Sequence, residues 1–380
     1  MEKPYDIFSA PVIDGENPKN PEYAPDGTLV QDAPTLGLGF HKFDGKTPVD
    51  EVIKQIGADF NVKKSHLVRI PDDVYDILLS GGSDPVLINP QDLITSHYAT
   101  VNEKSGQTIG VVGANYGIIQ NSQAFDILNV ITNASESGAD MSIVSAGLVH
   151  DHEPYMQISL PTDGLRITGD DSPTNFYAFV HTSHDGSSQL KVSFSAIRVV
   201  CRNTFMANMK AIGFAVRHSK NAGDRVDMTR EANVRRVREF VQQTNLFKQE
   251  YIDKMNALQG QNVDRDMLGE FLTRIFVAED TQKSVRENNY RFNTTEGLPT
   301  TTKNRIDKFM NVLESGDGQN TNRGTKLWLF NGLTNYFSNT MSYGNSKDSD
   351  LQKATKRFDA LSEGHAMRRT NEALNYLVTA

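Results

Sequence analysis

The chain has 380 residues, of which 38% are hydrophobic and 23% charged, and its formal net charge is -8. These values are typical of globular proteins and exclude a wholly disordered chain. No apolar run reaches the roughly 20 residues that cross a bilayer, and the first residues lack a charged-then-apolar leader, so the sequence predicts neither a transmembrane helix nor export. The single cysteine, Cys201, fits a reducing compartment, and we expect a cytoplasmic protein.

The N-terminal part of the chain is acidic and has little periodic patterning. Met1–Pro34 is rich in Pro, Gly, Asn and Asp, which indicates an extended arm. Short helices are predicted over Pro48–Gly57 and over Asp72–Ser80, where two glycines end the second one. We therefore expect residues 1–105 to form an acidic arm followed by a small helical or irregular segment.

The middle of the chain combines one helix with several strands. Thr108–Ile119 predicts a strand with a turn, and Ser122–Ser135 predicts a helix because its apolar residues recur on one face. Further strands are predicted over Met141–Val149, Tyr155–Leu160 and a short segment at Leu165 and Ile167.

The clearest hairpin joins Phe176–Thr182 to Leu190–Val200. Apolar and polar residues alternate along the second segment, and the connection contains Asp185-Gly186, a pair that tolerates the positive φ of tight turns. A helix is then predicted from Asn203 or Thr204, lined by Phe205, Met206, Met209 and Ile212.

The remainder of the chain is predicted to be helical. Thr229–Leu258 carries a long apolar repeat, which fits either a coiled-coil-like seam or a helix packed on the sheet. Leu327–Met341 predicts an amphipathic helix, and shorter helices fill the tail after Asp350. The sequence thus predicts an α+β fold with an antiparallel β-meander packed against helices, an α+β core over residues 106–260 and a mainly helical region over 261–380.

Histidines and carboxylates follow two of the predicted strands. His150-Asp151-His152-Glu153 and His181-x-x-His184-Asp185 would supply metal ligands if the two strand ends met. The spacing is generic and matches no complete metal motif, so exposed turn histidines are the commoner outcome. We expect the protein to purify without stoichiometric metal and assign it no cofactor.

Cys201 ends an apolar strand and immediately precedes the predicted helix. A thiol at a helix N-terminus has a lowered pKa and can act as a nucleophile, whereas a buried cysteine usually packs as a small hydrophobic group. We expect the packing role. The sequence contains no phosphate-binding glycine loop and no nucleophile-elbow or zincin motif, so it assigns no catalytic residue.

A basic segment follows Cys201 in this acidic chain. Residues 202–250 contain ten Lys and Arg against five Asp and Glu. Converging arginines and lysines bind phosphates, and the predicted nucleic-acid contacts are Arg202, Lys210, Arg217, Lys220 and Arg225. The alternative is that these cations decorate a solvated helix face. Phe205, Phe214 and Phe240 would stack bases only if they were exposed.

Several short motifs resemble those of a known family. Gly110–Tyr116, Gln120-Asn121, Ala124-Phe125, Ser183–Ser187, Arg198–Thr204, His218 and Gly324-Thr325 through Asn335-Tyr336 resemble the phage/plasmid-like family known as domain of unknown function 932. The resemblance runs from about Gly110 to Gly344 and implies a mobile-element origin, hence a host-cell cytoplasm, but no mechanism. The order of helix, antiparallel strands and basic helix is also similar to the core of phage single-strand annealing proteins.

The leading functional hypothesis is a non-enzymatic protein that binds single-stranded DNA in phage or plasmid DNA replication or recombination. A homo-oligomer would multiply weak contacts with the strand. One alternative is an enzyme, with or without a metal, that uses the histidines at positions 150, 152, 181 and 184 with Cys201. Another is an interaction protein whose C-terminal helices bind a host or phage replication factor.

Overall fold

The computed structural model describes residues 41–42, 47–70, 75, 89–133, 142–160, 165–170, 172–198, 203–206, 214–316, 318–362 and 364–380. The predicted arm over Met1–Pro34 and most of the predicted helix over Asp72–Ser80 lie outside these residues, as do Cys201, Arg202 and Lys210. None of the helices in the described ranges is both long enough and apolar enough to cross a membrane.

Two antiparallel sheets and a largely helical C-terminal region form the fold, which confirms the predicted α+β class. The strands are β1 (His41–Lys42), β2 (Val62–Val68), β3 (Leu93–Asn102), β4 (Thr108–Gly113), β5 (Ser142–Val149), β6 (Glu153–Leu160), β7 (Thr174–His181), β8 (Leu190–Arg198), β9 (Asn203–Met206) and β10 (Phe214–Val216). The α-helices are α1 (Val49–Gln55), α2 (Asn121–Asn133), α3 (Ala222–Val226), α4 (Glu231–Gln259), α5 (Arg265–Phe276), α6 (Glu279–Glu287), α7 (Thr300–Ser315), α8 (Lys326–Asn335), α9 (Asp350–Ser362) and α10 (His365–Thr379).

The larger sheet is a meander in the order β1-β5-β6-β7-β8-β10, and β9 also pairs with β8. The predicted hairpin is confirmed: β7 and β8 pair antiparallel from Thr174 opposite Arg198 to His181 opposite Lys191. Gly186 in the connecting loop has a φ of 89°, a conformation that favours glycine. The turns at 150–151 and 182–189 therefore lie at the same end of the sheet.

The smaller sheet has the order β2-β3-β4 and lies partly within the segment predicted to be helical or irregular. The side chain of Gln120 closes the outer edge of β2, because it both accepts from the backbone N of Val62 and donates to its carbonyl oxygen, each at 2.9 Å. Strands β2 and β3 were missed because polar residues interrupt their apolar alternation. The division of the chain at residues 105 and 260 stays a prediction.

Two predicted elements are wrong. The helix predicted from Asn203 begins instead as β9, whose residues pair with Ser195–Arg198 at the open edge of β8. Thr204 and Phe205 suit a strand, and the available edge decides their conformation. The strand predicted at Leu165 and Ile167 is a turn, in which the backbone N of Asp170 donates to the carbonyl of Ile167.

Helix α4 packs on one face of the larger sheet. The ring of Phe194 stacks on Phe240 and Phe247 with centroids 4.9 and 5.1 Å apart. Of the two interpretations of this apolar repeat, the structure therefore shows a helix packed on the sheet. Because Phe240 is buried in the core, it cannot stack bases.

Helix α9 lies against the opposite face of the sheet. Its Phe358 contacts the rings of Tyr155 and Phe179, with centroids 5.3 and 5.9 Å apart. Helix α8 confirms a predicted helix but is not amphipathic, because each of its ten residues is buried. The prediction that this helix is amphipathic is therefore wrong, because its polar residues are buried along with its apolar ones.

The Phe194 ring is expected to contribute strongly to stability. Phe194→Ala removes a fully buried ring between the sheet and α4 and should lower the free energy of unfolding by about 3–5 kcal/mol. Leu246→Ala is the matched control, because Leu246 lies on α4 but is 63% exposed, and its effect should stay below about 0.5 kcal/mol. Urea unfolding followed by circular dichroism measures both, and equal losses would contradict this packing.

Candidate metal centre

The connection between β5 and β6 is three residues long, His150 to His152, and it presents the first group of polar side chains. His150 and Asp151 have φ values of 50° and 61°, and the backbone N of His152 donates to the carbonyl of Val149, so these two residues form the centre of a tight turn. Glycine and asparagine normally occupy such positions, and the conformation costs a non-glycine residue about 1–3 kcal/mol. His152 and Glu153 follow Asp151 directly, so two potential metal ligands lie at this end of the larger sheet.

The β7–β8 loop presents the second group, in which Asp185 is held by serines. One carboxylate oxygen, Oδ1, accepts from the backbone N of Ser187 at 2.8 Å and from its Oγ at 2.6 Å, and the Oγ of Ser183 also donates to it. These three donors leave Oδ2 to face His152. Burial alone would raise the pKa of Asp185, but His152, Ser183 and Ser187 hold it far below its usual range.

The back of this loop is anchored to the rest of the fold. A Cβ on Gly110 of β4 would lie 2.6 Å from the Cα of Asp185, so only glycine allows this close approach. The hydroxyl of Tyr116 donates to the carbonyl of Ser183 at 3.1 Å. The Nε2 of His184 lies 2.6 Å from Oδ1 of Asn121, whose amide donates to the carbonyl of Ala58. The position of Asp185 is therefore set by the smaller sheet and by α2.

The two groups meet around the imidazole of His152. Its Nε2 lies 3.5 Å from Oδ2 of Asp185 and 3.7 Å from Oε1 of Glu153, and ligand atoms of the three residues lie within 4.8 Å of one another. The other oxygen of Glu153 lies 3.5 Å from Nε2 of His181. The two strand ends therefore meet, as joint metal binding by their histidines and carboxylates would require.

These separations suit a metal better than hydrogen bonds. The Nε2 of His152 is buried, and its ion-pair partners among the described residues, the carboxylates of Asp185 and Glu153, lie at 3.5 and 3.7 Å, longer than ordinary hydrogen bonds. Tetrahedral coordination with bonds of about 2.1 Å separates neighbouring donor atoms by about 3.4 Å, close to the 3.5 and 3.7 Å between Nε2 of His152 and the two carboxylate oxygens. One imidazole and two carboxylates fit a divalent ion such as zinc or manganese. Without an ion, burial disfavours the charged imidazole, but Asp185 and Glu153 outweigh this effect and raise the pKa of His152.

The three residues open into a cleft with a volume of about 380 Å³. Helix α9 supplies the far wall through Phe358, Asp359 and Ser362. At the rim, the Nε2 of His150 lies 3.6 Å from Oδ2 of Asp359, and both side chains are partly exposed. Asp359 and Phe358 were missed because they lie more than 150 residues from the hairpin in sequence, and no motif marks them.

The functional residues predicted from the sequence do not form a single site. His150, His152 and His181 line the cleft, whereas His184 lies behind the loop and is fully buried. Arg217, Lys220 and Arg225 are exposed on the segment after β10. Cys201, Arg202 and Lys210 are not among the described residues, so their predicted roles stay predictions.

His184 should make stability depend on pH. Since Asn121 Oδ1 can only accept, Nε2 of His184 donates to it, and its buried Nδ1 has no described partner for a second proton. Burial first, and then the charges of His218 and His152, lower the pKa of His184 to about 3. In the unfolded chain the pKa of His184 is about 6.5. The unfolded state therefore binds a proton in a pH range in which the native state does not.

The free energy of unfolding should consequently fall as the pH drops below about 6.5, by about 2 kcal/mol from this group between pH 7 and pH 5. His184→Gln should remove that part of the slope. His97→Gln, at an exposed position of β3, should leave it unchanged. Urea unfolding in EDTA measures the slopes, and a variant as pH-sensitive as wild type would disprove the assignment.

Comparison with known proteins identifies a family for most of the chain. Residues 108–362 match the family described as Domain of unknown function (DUF932). No curated protein and no solved structure matches the chain. The matched range includes β4, the Asp185 loop, the 150–153 turn and α9, so it contains every element of the centre described above. Because it spans more than half of the 380 residues, the chain belongs to the DUF932 family.

Proposed function

We propose that the protein is a metal-dependent hydrolytic enzyme whose metal ligands are His152, Glu153 and Asp185. The observation that carries the proposal is the buried Nε2 of His152, which faces two carboxylate oxygens at metal-ligand spacing, longer than ordinary hydrogen bonds. A divalent ion held there supplies Lewis-acid chemistry and activates water. The open cleft gives a substrate access to the three ligands.

The surrounding residues have separate parts in this proposal. Ser183 and Ser187 occupy one oxygen of Asp185, so the other is aimed at the ion, as the outer shell of a metal site typically does. His150 and Asp359 form an acid–base pair on the rim, where they can exchange protons with a bound substrate. Phe358 closes the cleft against the sheet and limits access of water from that side.

The family resemblance supports the same location. The motif residues Gly110, Tyr116, Asn121 and His218 lie around the back of the Asp185 loop, through contacts with Asp185, Ser183, His184 and Thr182 respectively. Three motifs, one of them far from the other two in sequence, thus converge on the loop that carries Asp185. A purely structural ion-pair cluster is the alternative, and it requires no ion.

Metal titration distinguishes the two. We expect EDTA-treated wild type to bind one equivalent of ZnCl₂ or MnCl₂ in calorimetry, and His152→Ala or Asp185→Asn to lose this stoichiometric binding. Ser187→Ala removes only an orienting donor and should weaken affinity about 10–100-fold. His97→Ala, which removes an exposed histidine from β3, should bind like wild type. A wild type that binds no stoichiometric metal would favour the ion-pair cluster and the prediction made from sequence.

Binding of single-stranded nucleic acid without chemistry is a second candidate function. The observation that favours it is the exposure of Arg217, Lys220 and Arg225. Arg225 donates to Ser219, and among the described residues neither Arg217 nor Lys220 has a carboxylate partner, whereas Arg230 is paired with Asp224 and Asp227. A role in phage or plasmid DNA replication or recombination, with partners there, stays a prediction.

A further inference from the structure

The carboxylate of Glu153 has a different histidine beside each of its oxygens. Oε1 lies 3.7 Å from Nε2 of His152, and Oε2 lies 3.5 Å from Nε2 of His181. His181 is 4% exposed and lines the same cleft, but it is not one of the three residues whose ligand atoms lie within 4.8 Å of one another. Any effect of His181 on a bound ion would therefore act through Glu153.

The strand register explains this contact. His181, at the end of β7, pairs with Tyr155 of β6, and Glu153 lies two residues before Tyr155 on the same strand. Residues two apart on a strand share a face, so the side chains of Glu153 and His181 are diagonal neighbours on one face of the sheet. Beyond the strand end, the backbone N of Thr182 donates to the carbonyl of Pro154 at 3.3 Å. The two side chains are therefore brought together by backbone pairing and not by a flexible loop.

The imidazole of His181 is confined by two aromatic rings. The ring centroid of Phe179, two residues earlier on β7, lies 6.1 Å from that of His181, and the ring centroid of Phe358 on α9 lies 5.9 Å from it. Both phenylalanines are buried, as is His181 itself. A side chain enclosed in this way has few conformations available. Its Nε2 therefore stays beside Glu153 without the loss of entropy that weakens ion pairs between exposed, flexible side chains.

The chemistry of the two groups sets the direction of the contact. An ionised carboxylate can only accept, so Nε2 of His181 presents its hydrogen to Oε2 of Glu153, and Oε1 is left on the side of His152. The carboxylate of Asp185 is held in a similar way, because two serines of its own loop occupy Oδ1 and leave Oδ2 facing His152. Each carboxylate of the centre thus has one oxygen engaged by its surroundings and the other beside the imidazole.

From this arrangement we infer that His181 is a positioning residue of the metal centre, which holds Oε2 of Glu153 and so directs Oε1 at the ion. This inference rests on the proposed metal site and extends it to a residue that is not a ligand. Removing a group that orients a ligating carboxylate typically weakens metal affinity about 10–100-fold. A histidine that only packs between aromatic rings would contribute to stability and leave metal affinity unchanged.

Two variants that differ in reach test the contact. The amide nitrogen of His181→Gln can take the place of Nε2 and donate to Glu153, whereas the shorter side chain of His181→Asn ends near the position of Nδ1. Zinc affinity is measured by competition with a chromophoric chelator, after EDTA has stripped the protein and been removed. We expect both variants to bind one equivalent of ZnCl₂, His181→Gln with an affinity near that of wild type and His181→Asn about 10–100-fold more weakly. Because both variants lose the imidazole, their comparison cancels the effect of lost ring packing.

A spectroscopic measurement separates orientation from stability. The visible absorption of bound Co²⁺ depends on the arrangement of its ligands, so His181→Asn should alter the spectrum and His181→Gln should keep it close to that of wild type. Urea unfolding in EDTA measures the stability of each variant. The matched control is His365→Asn on α10, because the ring of His365 also lies near two aromatic rings, Phe337 and Tyr343, each at 6.1 Å, and does not line the cleft. It should keep the wild-type affinity and spectrum.

The possible results distinguish the metal site from the role of His181. A wild type that binds no stoichiometric metal overturns the proposed metal site, and this inference with it. Metal binding by wild type with equal affinities for His181→Asn and His181→Gln overturns the role of His181 and leaves the metal site standing. Loss of stoichiometric binding in both variants also overturns that role, because His181 would then be a ligand itself. Lower stability of His181→Asn with an unchanged affinity and spectrum identifies a residue that only packs.

Discussion

The contact of β4 with the β7–β8 loop is the constraint on which the candidate site depends. At Gly110 the strand approaches the Asp185 backbone so closely that no side chain fits between them. Behind the same loop, the neutral ring of His184 is fixed by Asn121 of α2. Gly110 and Asn121 thereby fix the Asp185 loop against the smaller sheet and α2, and so determine where the Asp185 carboxylate lies. Ser183 and Ser187 then bind Oδ1 of Asp185, so that Oδ2 is the oxygen that faces outward.

Local patterns predicted the elements with strong local signals. The β7–β8 hairpin, α2 and α4 were all recognisable, because alternation, a turn pair and helical apolar spacing act over a few residues. β9 was misjudged, since its conformation is decided by the open edge of β8, and α8 was misjudged because polar groups such as Asn331 are buried. In the sequence, the candidate metal centre could be recognised only as two separate groups of residues. That these groups meet, and that Asp359 joins them, depends on tertiary structure.

The same side chains support two functional interpretations that differ in one physical respect. A cluster of imidazoles and carboxylates is stable without an ion if the imidazole of His152 carries a proton, and the raised pKa of His152 favours that state. A metal must displace this proton, so its binding competes with an interaction already present. The buried position of Nε2 and its separations of 3.5 and 3.7 Å from the two carboxylate oxygens are the observations on which the proposed metal site rests.

Helix α9 closes the cleft with residues that follow Asp185 by more than 170 positions. During synthesis, at about 5–20 residues per second, the sheet with its hairpins leaves the ribosome roughly 10–30 seconds before that wall exists. The nascent chain would thus display histidines and carboxylates in an open groove while the rim pair is still incomplete. In the proposed enzyme, proton exchange that needs Asp359 is consequently withheld until α9 has been synthesised, which separates the folding of the sheet from the onset of chemistry.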